Sequence, residues 1–251
     1  MKAILYIGHG TRSKKGAEEA KQFLQAVMEH VKAPIQEISF LELTTPFIEE
    51  GFRRCVERGA TEIKIVPVFL LTAGHIKQDI PNELAPLLSR YPDISVTTAD
   101  ALGVQEVILD AIAELVKRHV KDSISLSDSI LLVGRGSSDP QTRIAFEQIT
   151  AGIKTRLGIA DIDVCYLAAI EPTFDQGLEK ITAKAKGRII VVPYLLFGGL
   201  LLSEVHQKVK RNQKLGHKIS CTDSLAKHKV IQQIVIDRAN TQGEPYAAVN
   251  H

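Results

Sequence analysis

Several features that mark other protein classes are scarce or missing in this chain. It has no tryptophan, only 5% aromatic residues and three cysteines, which are Cys55, Cys165 and Cys221. The cysteines form no CxxC pair and are odd in number, so they do not build the disulfide framework of a small secreted protein. We therefore expect a cytoplasmic protein in a reducing environment.

The chain also lacks a charge excess and a long hydrophobic run. Its 31 Lys and Arg residues nearly balance 29 Asp and Glu residues, leaving a net charge of +2. No global field collects nucleic acid or an anionic membrane, so we expect neither as a partner. No stretch approaches the roughly 18 apolar residues of a membrane span, and the apolar start of MKAILYIGHG is too short for a signal peptide.

What the chain does have is a regular alternation of strand and helix patterns. Apolar runs of strand length occur at residues 3–7, 35–41, 63–71 and 94–98, separated by segments with helical periodicity. Their near-continuous Ile and Val content is typical of a parallel sheet covered by helices on both faces. This pattern predicts an α/β fold.

The pattern then starts again at Ile130, after the polar stretch 121–128, with strands near 130–133, 162–168, 188–194 and 218–222. Landmark residues align without a gap at a constant offset of 126: Gly8 with Gly134, Gly10 with Gly136, Pro46 with Pro172, Gly51 with Gly177 and Pro67 with Pro193. A constant register indicates a duplicated fold.

The duplication predicts two tandem doubly wound domains, each with a four-stranded parallel sheet of order 2-1-3-4 flanked by helices. We place an N-terminal lobe at residues 1–122, a degenerate C-terminal copy at 123–240 and a flexible tail at 241–251. Because a fused duplication already places two copies in one chain, we expect a monomer.

Three side chains with metal-ligand chemistry follow successive strands of the first copy. His9 ends the first strand in GHGTR, Glu42 ends the second in FLELTTP, and His75 follows the third in PVFLLTAGHIKQD. In a 2-1-3-4 sheet these strand ends are neighbours, so we expect the three groups to converge. Two imidazoles and a carboxylate suit iron(II), cobalt(II), nickel(II) or zinc(II) and leave coordination positions open.

The second copy provides an internal control for this prediction. At the offset of 126, Arg135 replaces His9, Ala168 replaces Glu42 and Leu201 replaces His75. All three are lost together while the neighbouring glycines and prolines remain, which favours a functional over a structural role.

Other interpretations of single features stay open. A histidine after a strand is more often a hydrogen-bonded loop residue, and a Gly-rich first loop such as GHG also binds phosphate in many α/β proteins. The GHG turn lacks the third glycine of the dinucleotide fingerprint. Of the remaining histidines, His30, His119, His217 and His228 are predicted at the surface without a role, and His206 on a solvated helix position.

The motifs GHGTR, FLELTTP, VPVFLLTAGHIKQDIP, LLVGRGSSDP and VVPYLLFGG resemble the two-lobed sirohydrochlorin chelatases, which are class II chelatases, over about residues 1–240. The resemblance implies insertion of iron(II) into sirohydrochlorin, in sirohaem biosynthesis, without a nucleotide cofactor. It places the metal and catalytic residues at His9, Glu42 and His75. Neutral imidazole accepts protons near physiological pH, so His9 is our first candidate for the base.

The carboxylates of sirohydrochlorin require local positive charge and hydrogen-bond donors, which the near-neutral chain must supply at the site. Candidate substrate-binding residues are Thr11, Arg12, Gly74, Lys77, Arg135, Ser137 and Ser138, with Lys14 and Lys15 near the same rim. Arg135 stands where the second copy has lost its histidine, which suggests a change from metal ligand to carboxylate clamp.

The choice of metal and the activity itself have alternatives. Some cobalt-inserting relatives carry a histidine-rich stretch or a cysteine-rich C-terminal extension, and their absence here favours iron. A cobalt or nickel chelatase with the same site remains the nearest alternative. A tetrapyrrole or metal carrier, and a phosphate-binding enzyme that uses the Gly8–Gly10 loop, are alternatives from other classes.

Overall fold

The computed structural model describes residues 1–72 and 74–246, with only the backbone of His75 included. In the first repeat the elements are β1 (Lys2–Gly8), α1 (Lys14–Met28), β2 (Ile35–Phe40), α2 (Ile48–Glu57), β3 (Glu62–Pro67), a π-helix (His75–Asp79), α3 (Ile80–Arg90), β4 (Ser95–Thr98) and α4 (Glu106–Val120).

The second repeat follows the same order. Its elements are β5 (Ser129–Gly134), α5 (Gln141–Leu157), β6 (Ile162–Tyr166), α6 (Phe174–Lys184), β7 (Ile189–Tyr194), α7 (Leu200–Lys214), β8 (Ile219–Cys221), a 3-10 turn (Leu225–Lys227), α8 (Lys229–Asn240) and β9 (Glu244–Pro245). The peptide bonds before Pro46 and Pro172 are both cis.

Each repeat forms its own sheet, and both sheets have the predicted strand order. The first sheet runs β2-β1-β3-β4-β9 and the second β6-β5-β7-β8. All pairs are parallel except β4 with β9. The prediction of an α/β fold with two sheets of order 2-1-3-4 is confirmed, and the first sheet has one additional antiparallel strand.

That additional strand comes from the segment predicted to be a flexible tail. Glu244 and Pro245 pair with β4, and the amide of Tyr246 donates to the carbonyl of Val96 at 3.0 Å. The edge of β4 offers backbone groups that residues 244–246 satisfy, whereas the flexibility predicted for residues 241–251 stays a prediction. The rest of the predicted tail, residues 247–251, lies outside the described residues.

The strands form the centre of each core, as their continuous apolar sequences predict. Every residue of β5 and of β7 is buried, and so are all residues of β1 after Lys2. Helix α1 buries one face, which contains Ala20, Leu24 and Val27. This periodicity of three to four residues directs its charged side chains to solvent.

The compact units of the structure divide the chain differently from the sequence repeats. One unit contains Met1–Gly103 together with the segment that begins at Gln232, and the other contains Val104–Ile231. Helix α4 therefore belongs to the second unit and most of α8 to the first. Within the second unit α4 packs closely on α5, where Arg156 binds Asp110 at 2.6 Å. The boundaries 1–122 and 123–240 describe the repeats in the sequence and not these units.

The helices in the described part of the chain are too short or too polar to cross a membrane.

Candidate metal site

Backbone hydrogen bonds also connect the two loops that follow β1 and β2. The amide of Leu41 donates to the carbonyl of Gly8 at 2.9 Å, and the amide of Glu42 donates to the carbonyl of His9 at 3.0 Å. These bonds continue the parallel pairing of β1 and β2 into the loops that follow. His9 and Glu42 are thereby held side by side at the carboxyl edge of the sheet, as predicted.

The side chains of His9 and Glu42 face each other at a distance that suits a shared ion. His9 Nε2 lies 3.6 Å from Glu42 Oε1, and the side chains are 26% and 48% exposed. That distance is too long for a hydrogen bond. Two atoms that each lie roughly 2.1 Å from one ion are about 3.0–3.6 Å apart when they subtend about 90–120°. The pair therefore fits two ligands of one metal.

The contact of the other ring nitrogen of His9, Nδ1, indicates where the imidazole carries its proton. His9 Nδ1 lies 3.2 Å from the carbonyl oxygen of Gly10. A carbonyl oxygen only accepts, so Nδ1 carries the proton in this contact. In the neutral ring this leaves the lone pair of Nε2 on the side of Glu42, where it can bind a metal or accept a proton.

Gly10 permits the close approach of the two loops. Its φ is 91°, and a Cβ at this position would lie 1.7 Å from the carbonyl oxygen of Glu42. Only glycine fits both constraints. Gly74 differs, because a Cβ there would meet open space.

The third predicted ligand lies at the start of the π-helix. His75 is the first residue of that segment, which continues directly into α3. Among the side chains that the structure describes, no three His, Cys, Asp or Glu residues cluster tightly enough to hold a metal, but the side chain of His75 is outside that set. Short π-helical segments are frequent at functional sites. The convergence of His9 and Glu42 is observed, and that of His75 stays a prediction.

Two neighbours of this pair were not predicted from the sequence. The Thr44 hydroxyl binds the backbone of Thr11, and the ring of Phe69 lies 6.2 Å from the ring of His9, centroid to centroid. Both residues lie inside the motifs that were singled out, FLELTTP and VPVFLL. Position within a motif was therefore the only available signal, since neither residue carries metal-ligand chemistry.

The substrate-binding candidates of the first unit lie in two segments. Thr11 and Arg12 are in the loop between β1 and α1, where Arg12 is exposed and the Thr11 hydroxyl accepts from the Ser13 amide at 3.1 Å. Lys77 is exposed on the π-helix. Their roles toward a substrate stay predictions.

The candidates of the second unit share the loop between β5 and α5. Arg135 and Ser138 are exposed, and the half-buried Ser137 accepts from the Asp139 amide at 3.2 Å. The substrate roles of Arg135, Ser137 and Ser138 also stay predictions.

The second unit repeats the backbone of the site with Arg135 and Ala168 in place of His9 and Glu42. The amide of Ala168 donates to the carbonyl of Arg135 at 2.8 Å, as Glu42 does to His9. Gly136 has a φ of 88°, and its Cβ would lie 2.0 Å from the carbonyl oxygen of Ala168. The loop geometry therefore does not require the His9 and Glu42 side chains.

One histidine predicted at the surface is buried. His228 is 3% exposed, and its Nε2 lies 3.2 Å from Glu114 Oε2 within the second unit. This hydrogen bond is the main cause of the lowered pKa of the Glu114 carboxyl. The prediction failed because the partner is 114 residues away in the sequence. His30 and His206 are exposed as expected, whereas His119 and His217 are half-buried.

Together, the fold and the site define a duplicated α/β protein with a His–Glu pair at the strand ends of its first copy. The chain belongs to the CbiX family, whose family model matches residues 3–119 and 129–242. The two matched segments follow the two repeats.

Individual relatives cover nearly the whole chain. The sirohydrochlorin ferrochelatase of Priestia megaterium is 37% identical over 241 residues, which are 96% of this chain and 90% of the relative. The sirohydrochlorin cobaltochelatase of the same organism is 26% identical, over 95% of this chain and 79% of its own length.

Solved structures agree with this relationship. SirB from Bacillus subtilis with Fe3+ superposes with a TM-score of 0.82 at 34% identity, over 94% of this chain and 93% of that chain. The sirohydrochlorin chelatase SirB from Bacillus subtilis subspecies spizizenii, in complex with cobalt, gives 0.81, also at 34% identity, over 95% and 93%.

Proposed function

We propose that this protein is a sirohydrochlorin ferrochelatase, a lyase that inserts iron(II) into sirohydrochlorin during sirohaem biosynthesis. The observation that carries the proposal is the 3.6 Å spacing of His9 Nε2 and Glu42 Oε1 at the joined ends of β1 and β2. The 37% identity to a sirohydrochlorin ferrochelatase across nearly the full chain supports the choice of substrate.

The reaction exchanges two protons for one divalent ion. Both inner pyrrole N–H bonds break, the two protons leave, and iron(II) takes their place on the four ring nitrogens, so charge is conserved. A base and a weakly held metal must therefore share one pocket. His9 suits the two tasks in turn, since in the neutral ring its Nε2 lone pair faces Glu42 and can hold the ion before transfer or accept one proton after it, while the other proton passes to solvent.

We assign the metal-binding and catalytic roles to His9, Glu42 and His75. Glu42 is nearly half exposed, which leaves its carboxylate accessible to an incoming ion. A site with two imidazoles and one carboxylate keeps open positions, so the ion can pass to the macrocycle. No nucleotide cofactor is part of this proposal.

Substrate binding is assigned to groups around these ligands and to the second repeat. The proposed residues are Thr11, Arg12, Gly74, Lys77, Arg135, Ser137 and Ser138. Arg135 is exposed and occupies the position of His9 in the duplicate loop, so its guanidinium is available to a carboxylate. In this assignment the repeat at 1–122 handles metal and the repeat at 123–240 contributes to tetrapyrrole recognition, in a monomeric cytoplasmic enzyme.

A cobalt chelatase is the second candidate. Relatives of this chain include the sirohydrochlorin cobaltochelatase of Priestia megaterium, and SirB of Bacillus subtilis is known with iron and with cobalt. Imidazole and carboxylate ligands discriminate poorly among iron(II), cobalt(II) and nickel(II). The two activities differ only in the ion inserted.

The test is an anaerobic absorbance assay of sirohydrochlorin with iron(II), cobalt(II) and nickel(II) in parallel. We expect catalysed metallation, fastest with iron. His9→Ala and Glu42→Gln should each lower kcat/KM by about 100-fold or more, because each removes a ligand or base. The control His30→Ala, at an exposed helix end, should match the wild type.

Three results would contradict the proposal. Stoichiometric binding of sirohydrochlorin without faster metallation would indicate a carrier. Faster insertion of cobalt or nickel than of iron would favour the alternative metal. Wild-type turnover in both His9→Ala and Glu42→Gln would show that these residues do not form the catalytic site.

A further inference from the structure

The loop that carries Glu42 also exposes two large apolar side chains. Leu43 is 45% exposed and Phe47 is 46% exposed, one and five residues after Glu42. Folding alone does not favour large apolar groups in water, since their burial is what stabilises a protein. Other large apolar side chains of the chain are also exposed, but these two lie in the loop that carries Glu42, where a bound substrate would cover them.

The backbone conformation of Leu43 is strained for a residue with a bulky side chain. Leu43 has a φ of 63°, in the left-handed region that branched and bulky residues rarely adopt. Its counterpart in the second repeat, Ala169, has a φ of 67°, so the loop imposes this conformation in both copies. A glycine would satisfy the same backbone without strain. Leucine is thus neither required by the turn nor stabilised by burial.

Phe47 replaces a residue that would stabilise the following helix. It is the N-cap of α2 and its side chain forms no capping hydrogen bond. The counterpart Thr173 caps α6, accepting from the Gln176 amide at 3.3 Å, while Gln176 accepts from the Thr173 amide at 2.7 Å. Glu50 occupies the equivalent of Gln176, so a threonine at position 47 would complete the same capping box.

We propose that Leu43 and Phe47 form an apolar contact surface for the flat macrocycle of the substrate, next to the metal ligand Glu42. This inference rests on the proposed function and adds two residues that bind the tetrapyrrole without touching the metal. In both positions the first repeat carries an exposed apolar group where the second carries a smaller or capping residue. The first repeat forgoes stability at both positions in favour of tetrapyrrole contact.

The test uses substitutions that should improve folding while weakening substrate binding. In Leu43→Gly and Phe47→Thr we expect a melting temperature equal to or above the wild type. The KM for sirohydrochlorin should rise about fivefold in each, because covering half of such a side chain contributes roughly this factor to affinity. The kcat and the affinity for iron(II) alone should change less than twofold.

Ala169→Gly is the matched control. It relieves the same backbone strain in the duplicate loop of the second unit, so its melting temperature should also rise. Its KM should equal that of the wild type. This comparison separates loss of the leucine side chain from a general change in loop flexibility.

The outcomes distinguish this inference from the proposed function. If the wild type metallates sirohydrochlorin and both variants keep its KM, the apolar surface is refuted and the chelatase proposal stands. If KM rises but the melting temperature falls in the same variants, the side chains are structural and the inference fails. If fluorescence titration detects no binding of metal-free sirohydrochlorin to the wild type and no turnover occurs, both proposals are overturned.

Discussion

The hydroxyl of Thr44 is hydrogen-bonded twice to the backbone of Thr11, accepting from its amide at 2.9 Å and donating to its carbonyl at 3.0 Å. Thr44 is buried, and these bonds join the loop that carries Glu42 to the loop that carries His9. In the second repeat Ile170 occupies the equivalent position and has no hydroxyl. The connection is therefore specific to the copy that carries His9 and Glu42.

Thr44→Val should loosen the site without changing a ligand. Valine keeps the shape but leaves the amide and carbonyl of Thr11 without this partner, which costs about 1–3 kcal/mol in the free energy of unfolding. The metallation rate should fall at least about tenfold, because small errors in the position of reacting groups are costly. Urea unfolding and the anaerobic assay measure the two effects.

Two controls accompany this prediction. Thr44→Ser keeps the hydroxyl and should retain most of the activity, whereas Ile170→Val in the second repeat should leave the rate unchanged. Equal rates in Thr44→Val and the wild type would show that the His9–Glu42 spacing does not depend on this connection.

Gly10→Ala should displace the backbone of Glu42. The added Cβ would lie 1.7 Å from the Glu42 carbonyl oxygen at a φ of 91°, so the loop must move and stability should fall by about 3 kcal/mol or more. Metal affinity, measured by titration with cobalt(II), should fall with it. Gly136→Ala meets the same obstacle in the second unit and should lose comparable stability while keeping its cobalt affinity. Equal loss of cobalt affinity in both would contradict the assignment.

Asp128 should make stability depend on pH in the acid range. Its side chain is 2% exposed, and although burial opposes ionisation, hydrogen bonds from Arg188 and two backbone amides outweigh it and lower the pKa. A lowered carboxyl pKa stabilises the fold above the unfolded value of about 4, and this contribution is lost as pH falls below it. Unfolding free energies should therefore decline below about pH 4.

Asp128→Asn tests this prediction. At pH 7 it should cost about 3 kcal/mol, because it leaves the guanidinium of Arg188 without its buried partner, and the acid decline should become shallower. Asp122 is the matched control, since it lies 3.7 Å from the same guanidinium but is 85% exposed. Asp122→Asn should show no measurable change at pH 7. A pH profile of Asp128→Asn that parallels the wild type would refute the role of this carboxyl.

Tyr246 should anchor the final strand. Its ring packs against the core of the first unit and burial raises the pKa of its hydroxyl, while its amide bonds to Val96. Tyr246→Ala should lower the free energy of unfolding by about 1–2 kcal/mol, since it uncovers apolar surface. Tyr246→Phe preserves the ring and should remain close to the wild type in urea unfolding. An unchanged free energy of unfolding in Tyr246→Ala would mean that β9 contributes no stability.

The duplication could be recognised from the sequence because glycine and proline restrict the backbone directly. The constant offset of 126 predicted two equivalent sheets, and it also aligns Leu43 with Ala169, which share a positive φ. The proximity of His9 and Glu42 followed from the strand order, since parallel neighbours end at the same edge. Apolar periodicity predicted the buried faces, because the spacing of side chains along a helix or strand is fixed by local backbone geometry.

What the sequence by itself determined is therefore the α/β alternation, the repeat and the adjacency of His9 and Glu42. Only the tertiary structure assigned most of α8 to the first unit, paired β9 with β4, buried His228 against Glu114 and bound Thr44 to Thr11. Each of these features depends on residues distant in the chain, whose contact no local pattern encodes. They form when sheet edges and polar groups that local structure leaves without hydrogen bonds are paired with distant parts of the chain.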